Sequence, residues 1–176
     1  MKKLIGKFVR NVRAIAAVEF ALIAPVMITL FFGTIEICNA LICQEKVTSI
    51  ASTAADLVAQ DSSISSTQMS DVFNALDAII YPYKAASASV IVTSIILNSK
   101  GKPVVDWSQA HNDTAHKPGD SMTVPDGLIT TGGSVIFAEI KYAYSSPTTK
   151  FFTKDFVMQD SFYARPRKSP TVTGPS

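Results

Sequence analysis

The chain has few of the side chains on which enzyme active sites and covalent crosslinks depend. Its 176 residues include only two histidines and two cysteines. Cys38 and Cys43 are five positions apart, which places them about 140° apart on a helix, so they cannot pair within one chain. Gly132 and Gly133 read as a turn before a strand, and no glycine-rich phosphate-binding loop is present. These absences exclude a disulfide framework, and the sequence shows no recognisable set of catalytic residues.

The two histidines do not form a metal-binding pattern. His111 and His116 lie in a polar stretch, residues 109–120, with Asp113 between them. A metal site needs a defined geometry and a further ligand, which this pattern does not supply. We therefore expect both histidines to be solvated loop residues, and we expect no metal, no cofactor and no enzymatic activity.

Acidic residues are absent from the first fourteen positions. This leader holds five of the 16 basic residues, which leaves 11 basic against 14 acidic residues in the rest of the chain. The acidic balance of the rest argues against a nucleic-acid partner. By the positive-inside rule the leader stays in the cytoplasm and the chain from Gln44 onward faces outward. The leader charges are Lys2, Lys3, Lys7, Arg10 and Arg13.

A long apolar run follows the leader at once. No charged residue occurs between Phe20 and Ile35, and about 20 apolar residues suffice to cross a bilayer as a helix. The run is longer than the hydrophobic region of a cleaved secretory signal, which has about 7–15 residues. The pattern predicts a membrane helix over residues 15–43, and a plain uncleaved anchor is one way to interpret it.

One carboxylate, Glu19, lies near the start of this helix. A charge at the centre of a membrane helix costs roughly 2.5–3.5 kcal/mol on insertion scales and less near an interface, so its presence suggests a partner. Residues 16–25 read Ala-Ala-Val-Glu-Phe-Ala-Leu-Ile-Ala-Pro. This segment resembles the amino terminus of TadE/TadG-like minor pilins, or pseudopilins, of tight-adherence (Flp) type IV pilus systems. In these proteins a short basic leader ends in a small residue, and the mature segment that follows has Glu at its fifth position.

The resemblance implies roles for individual residues. Processing would occur between Ala14 and Ile15, because Glu19 is then the fifth mature residue; the family usually has Gly where this chain has Ala14. Glu19 and the adjacent Phe20 would serve subunit pairing and assembly, with Glu19 beside the new α-amino group of a neighbour. The implied partners are other pilin-like subunits (the major Flp pilin and a second pseudopilin), a prepilin peptidase, the inner-membrane pilus assembly platform and the lipid bilayer.

The function implied by the resemblance is structural. The protein would be a minor pilin that helps to initiate or cap a tight-adherence pilus and thereby supports surface attachment and biofilm formation. The alternative is an uncleaved, membrane-anchored periplasmic scaffold of the same assembly machine. Both place it in the bacterial inner membrane as a single-pass protein with a periplasmic C-terminal domain.

Hydrophobic spacing predicts one helix over residues 15–60, bent within the membrane at Pro25. Glu36 falls near the outer interface by arc length, where we expect it to face water rather than to pair with a neighbouring subunit. A second helix is predicted to begin after a cap at Ser66 or Thr67 and to end before Pro82. The predicted apolar stripes are Val47, Ile50, Ala54, Leu57 and Val58 in the first helix, and Met69, Val72, Phe73, Leu76, Ile79 and Ile80 in the second.

The spacing then changes to the period of two that is typical of strands. Strands are predicted at residues 89–97, 103–107, 134–144 and 156–163, and the five tyrosines are expected in core and strand-pair positions rather than in an exposed adhesive patch. The predicted fold is α+β and pilin-like, a long helix packed with a second helix on a small antiparallel sheet. The predicted organisation is a leader at 1–14, a membrane helix at 15–43, a periplasmic domain at 44–167 and a flexible Pro/Ser/Thr-rich tail at 168–176.

Overall fold

The computed structural model describes residues 12–146 and 156–175, with side chains from Ile15 onward. The leader residues Lys2, Lys3, Lys7 and Arg10, and the side chains of Arg13 and Ala14, lie outside the described residues. The described chain confirms the predicted α+β class. Its principal elements are α1 (Val12–Ala59), α2 (Ser66–Ile80), β1 (Ala88–Leu97), β2 (Pro103–His111), β3 (Ser134–Tyr144) and β4 (Phe156–Ala164).

Helix α1 is a single element of 48 residues, about 72 Å long at about 1.5 Å per residue. It continues through Pro25. Proline has no backbone N–H, so the carbonyl of Ala21 loses its usual helical hydrogen bond there. The Thr29 hydroxyl donates to the Pro25 carbonyl at 2.8 Å. The predicted single helix is confirmed, whereas the bend at Pro25 stays a prediction.

The C-terminal half of α1 packs on the rest of the domain through one face. Leu57, which the sequence also placed in this stripe, is only partly buried. Several alanines on this face let the helix backbone approach its neighbours closely. The buried side chains here are Cys43, Val47, Ile50, Ala51, Ala54, Ala55, Val58 and Ala59.

Helix α2 is capped by Ser65, one residue before the predicted cap. The Gln68 backbone N–H donates to the Ser65 hydroxyl at 3.2 Å, and the Ser65 backbone N–H donates to Gln68 Oε1 at 2.9 Å. This reciprocal pair is a capping box, and Ser65 has the extended backbone that a cap requires. At the other end, Lys46 Nζ of α1 donates to the Ile79 carbonyl at 2.8 Å. The buried face of α2 consists of Met69, Phe73, Leu76 and Ile80.

The four strands form one antiparallel sheet in the order β2-β1-β3-β4. The predicted strand over Ser134–Tyr144 is confirmed with its alternation: Ile136, Ala138, Ile140, Tyr142 and Tyr144 are buried in the core that includes the helices. Strand β2 is longer than the predicted 103–107, because residues 108–111 continue to pair with β1 as far as His111 opposite Val90. Ser108, Gln109 and His111 are polar, so hydrophobic spacing did not predict this extension.

The outer face of the sheet is partly covered by the connection between β2 and β3. Its side chains pack against a small buried cluster made of Ile95, Val135 and Phe137. The same connection runs along the edge of β2, where the Val105 N–H donates to the Asp120 carbonyl at 2.9 Å. This edge of the sheet is thereby shielded. The covering side chains are Met122, Val124 and Ile129, with Tyr163 beside them.

The C-terminal segment is ordered against the domain, so the expectation of a flexible tail at 168–176 is wrong for its described residues. Val172 is fully buried, and its carbonyl accepts a 2.8 Å hydrogen bond from Trp107 Nε1. The Ile64 N–H donates to the Thr173 carbonyl at 2.9 Å. Composition rich in Pro, Ser and Thr suggested disorder, but backbone hydrogen bonds and one apolar anchor suffice to hold this segment.

Candidate functional site

The N-terminal half of α1 projects beyond the domain. None of the 21 residues from Ile15 to Ile35 is buried, although most are apolar. Over residues Ile15–Ala59, α1 is long and apolar enough to cross a membrane. The projecting 21 residues rise about 31 Å, which equals the thickness of a bilayer's hydrocarbon core of about 30 Å. An exposed apolar surface of this extent needs another apolar environment, either lipid or other helices.

The two threonines of the projecting segment satisfy their own hydroxyl groups. In addition to Thr29, Thr34 donates its hydroxyl hydrogen to the Leu30 carbonyl at 2.8 Å. A hydroxyl that bonds within its own helix costs far less in hydrocarbon than one left unsatisfied. Glu19 is therefore the residue of this segment whose charge calls for an explanation.

Glu19 is exposed on the projecting helix, one turn after Ile15. Residues four apart share a helix face, so the end created by a cut before Ile15 and the Glu19 carboxylate lie on one side, about 6 Å apart along the axis. Phe20 is 72% exposed beside it. The structure thus presents Ile15 and Glu19 on one face of an open helix, with Phe20 exposed on the adjacent face. The cut itself, like the role of Ala14, stays a prediction.

Glu36 does not face water, so the expectation for this residue is wrong. It is 1% exposed, because the domain packs on α1 from Glu36 onward. Distance along the helix alone had suggested that the packed region begins nearer the C-terminal end of α1. Glu36 lies seven residues before Cys43 and fourteen before Ile50, and this heptad spacing places all three on the same buried face. The spacing is the signal that could have identified it.

Aromatic side chains gather around Glu36 at this end of the sheet. The Tyr83 ring lies 6.1 Å from that of Tyr144 and 6.4 Å from that of Tyr142, and the Tyr144 ring lies 5.1 Å from that of Phe156. The Tyr83 hydroxyl donates to the Asn39 carbonyl of α1 at 2.8 Å. Burial raises the pKa of Tyr144 to about 12, and the nearby Glu36 carboxylate acts in the same direction. These tyrosines are neutral packing groups that hold α1 where it leaves the domain.

The expectation that both histidines are solvated loop residues is wrong for His111, which lies in a strand, whereas His116 does lie in the β2–β3 connection, partly exposed and beside a carboxylate. His111 belongs to β2; its ring stacks on Phe73 at 5.3 Å and its Nε2 lies 3.7 Å from Asp77 Oδ2. His116 Nε2 lies 2.7 Å from Glu139 Oε2. All four members of these two pairs are about one-third exposed. The pairs fasten α2 and the β2–β3 connection to the sheet.

Within the described ranges, no three His, Cys, Asp or Glu side chains come together as a metal site. Cys38 is exposed and Cys43 is buried, and both thiols are free. The cysteines therefore act as packing and surface residues.

A small α+β domain carried on one long apolar helix fits a single-pass membrane anchor. Residues 14–56 match the family model TadE, described as TadE-like protein. The match confirms the resemblance found in the sequence, and it indicates a role in tight-adherence pilus systems, in association with pilus components. The matched segment lies within α1 and ends before α2 and the sheet. No curated protein and no solved structure was found to match the chain.

Proposed function

We propose that this protein is a minor pilin, or pseudopilin, that helps to initiate or cap a tight-adherence (Flp) pilus and so supports attachment and biofilm formation. One observation carries the proposal: a bare apolar helix segment of 21 residues has a single carboxylate at the fifth position after the Ala14–Ile15 junction. A permanent lipid anchor has no need of that charge, whereas an assembling helix can use it.

The physical role of Glu19 follows from the two environments of the helix. In the bilayer an isolated carboxylate is costly. In a bundle of pilin-like helices, a neighbour displaced by about 6 Å along the axis brings its new α-amino group beside Glu19. The resulting ion pair compensates both charges and favours the assembled state. The domain packs on α1 only from Glu36 onward. Residues 15–35 are therefore uncovered and available for packing with other helices.

The alternative is an uncleaved periplasmic scaffold that supports pilus assembly without entering the filament. The presence of Ala14 favours this alternative, because the family usually has Gly at the position before the cut. In that case the helix would stay in the inner membrane with its leader attached. The two functions therefore differ in the covalent state of the N-terminus.

We expect a prepilin peptidase to cut between Ala14 and Ile15. N-terminal sequencing of protein from native membranes should begin at Ile15, and Ala14→Gly should be cut faster than the parent. Ala16→Gly is the matched control, since it makes the same change two positions away and should leave the rate near that of the parent. Recovery of the intact chain alone, with the peptidase demonstrably active, would support the scaffold.

We expect the leader to lie in the cytoplasm and the chain beyond about Gln44 to lie in the periplasm, because the leader's basic residues flank a single span. Protease added to spheroplasts should remove a C-terminal tag. A cytoplasmic protein of the same cells, which should stay intact, is the control for membrane integrity. Protection of the C-terminal tag in intact spheroplasts would contradict this orientation.

A further inference from the structure

Among the described residues, several apolar side chains are exposed at the end of the domain nearest the projecting helix. Beyond α1, the described residues include four exposed large apolar or aromatic side chains: Tyr81, Phe156, Val157 and Phe162. The first three lie at the end of the domain where Glu36 is buried. Tyr81 is 76% exposed and directly follows α2, and Val157 is 63% exposed near the start of β4. We call Tyr81, Phe156 and Val157 the base.

Contacts fix the position of the base along α1. Tyr81 is two residues from Tyr83, whose hydroxyl bonds the Asn39 carbonyl of α1. Phe156 is paired with Tyr144 across the β3–β4 ladder, and the Tyr144 side chain lies near Glu36. The base therefore lies level with residues 36–39 of α1.

The length of the projecting helix sets the depth of that level in a membrane. If residues 15–35 fill the hydrocarbon core, residues 36–40 lie in the headgroup layer, because that layer extends about 5–8 Å beyond the core on each side and each helical residue rises about 1.5 Å. Ile37 is exposed on α1 within this layer, and Leu41 and Ile42 are exposed just beyond it. The base thus lies at about the depth of the headgroup layer, just beyond the membrane helix.

From this position, and from the exposure of its apolar side chains, we infer that the base is a lipid-binding surface, docked in the headgroup layer of the bilayer that α1 crosses. Tyrosine suits that layer, because its ring is apolar and its hydroxyl reaches water. The opposite end of the domain, at the turn of residues 98–101, presents Lys100 and other polar residues and has no such surface. The inference rests on the membrane anchor and not on entry into a pilus.

Depth-dependent fluorescence quenching by brominated phosphatidylcholine tests the inference. The full chain is reconstituted in bilayers, with Trp107, the only tryptophan, as constant background. In Tyr81→Trp, bromines near the headgroups should lower the added emission by roughly twofold, as expected for an interfacial ring, and bromines at the chain ends should lower it less. In Val26→Trp, on the middle of the projecting helix, the chain-end bromines should quench more strongly.

Lys100→Trp is the matched control, since it puts an exposed tryptophan at the far end of the domain; its added emission and that of Trp107 should be unaffected. Absence of quenching in Tyr81→Trp, with Val26→Trp quenched, would overturn the inference and point to a protein partner for the base. Equal quenching of Tyr81→Trp and Lys100→Trp would also overturn it, as would a Val26→Trp that is not quenched. Pilus assembly is measured separately, so failure of the proposed function would leave these results intact.

Discussion

Replacing Glu19 with Gln should reduce surface pili far more than tenfold while the protein stays at normal abundance in the membrane. In the bilayer the change removes a costly charge, so insertion should hold or improve. In the assembled bundle it leaves the neighbour's α-amino group without its counter-charge. Breaking a buried ion pair in this way costs about 3–5 kcal/mol. Pili counted by electron microscopy, surface attachment and immunoblots of membranes provide the measurements.

The matched control is Glu45→Gln, which makes the same chemical change at an exposed position of α1 beyond the projecting segment. It should leave pilus number near that of the parent. Glu36 is unsuitable for this purpose, because it is buried beside Tyr83 and Tyr144 and its replacement would disturb the domain. If Glu19→Gln assembles pili as well as Glu45→Gln does, the proposed pairing is wrong.

Replacing Ile140 with Ala should lower the free energy of unfolding by about 2–5 kcal/mol. Ile140 is fully buried at the centre of β3, in the core that joins the sheet to α1 and α2. Domains of this size have about 5–15 kcal/mol in total, so a large fraction of the stability would be lost. Urea unfolding of the full chain in detergent, followed by Trp107 fluorescence, measures the change.

Lys141→Ala is the control for this experiment. Lys141 is the next residue on β3, and its side chain is 53% exposed on the opposite face, 3.7 Å from Asp113. An exposed ion pair is worth about 0–1 kcal/mol, so little stability should be lost. Equal destabilisation by the two substitutions would contradict the register of β3, because a shift of one residue exchanges the two faces.

The features that sequence predicted well are those with a strong, regular pattern. The alternation of apolar residues predicted both ends of β3, Ser134 and Tyr144, correctly. This pattern is strong because one face of a half-buried strand must be apolar. The long apolar run predicted a single helix, since little else can span a bilayer. The motif around Glu19 predicted the family segment that residues 14–56 match.

Two of the features that sequence missed depend on contacts between distant parts of the chain. Glu36 is buried because Tyr83 and Tyr144 meet α1, and although its heptad spacing to Cys43 and Ile50 indicates the buried face, it does not show how far along α1 the domain reaches. Val172 is held by Trp107, a contact that the composition of a Pro-rich segment conceals. The cap at Ser65 was locally readable, because Ser65 and Gln68 have the spacing of a capping box.

Mass spectrometry of sheared, purified surface pili tests the central claim most directly. If this protein is a minor pilin, peptides from the chain should occur in the pilus fraction at a low ratio to the major subunit, and the N-terminal peptide should begin at Ile15. The same peptides should be absent from the sheared fraction of cells that lack the major pilin. Recovery of the chain only from the inner membrane of fully piliated cells, with its leader attached, would contradict the account.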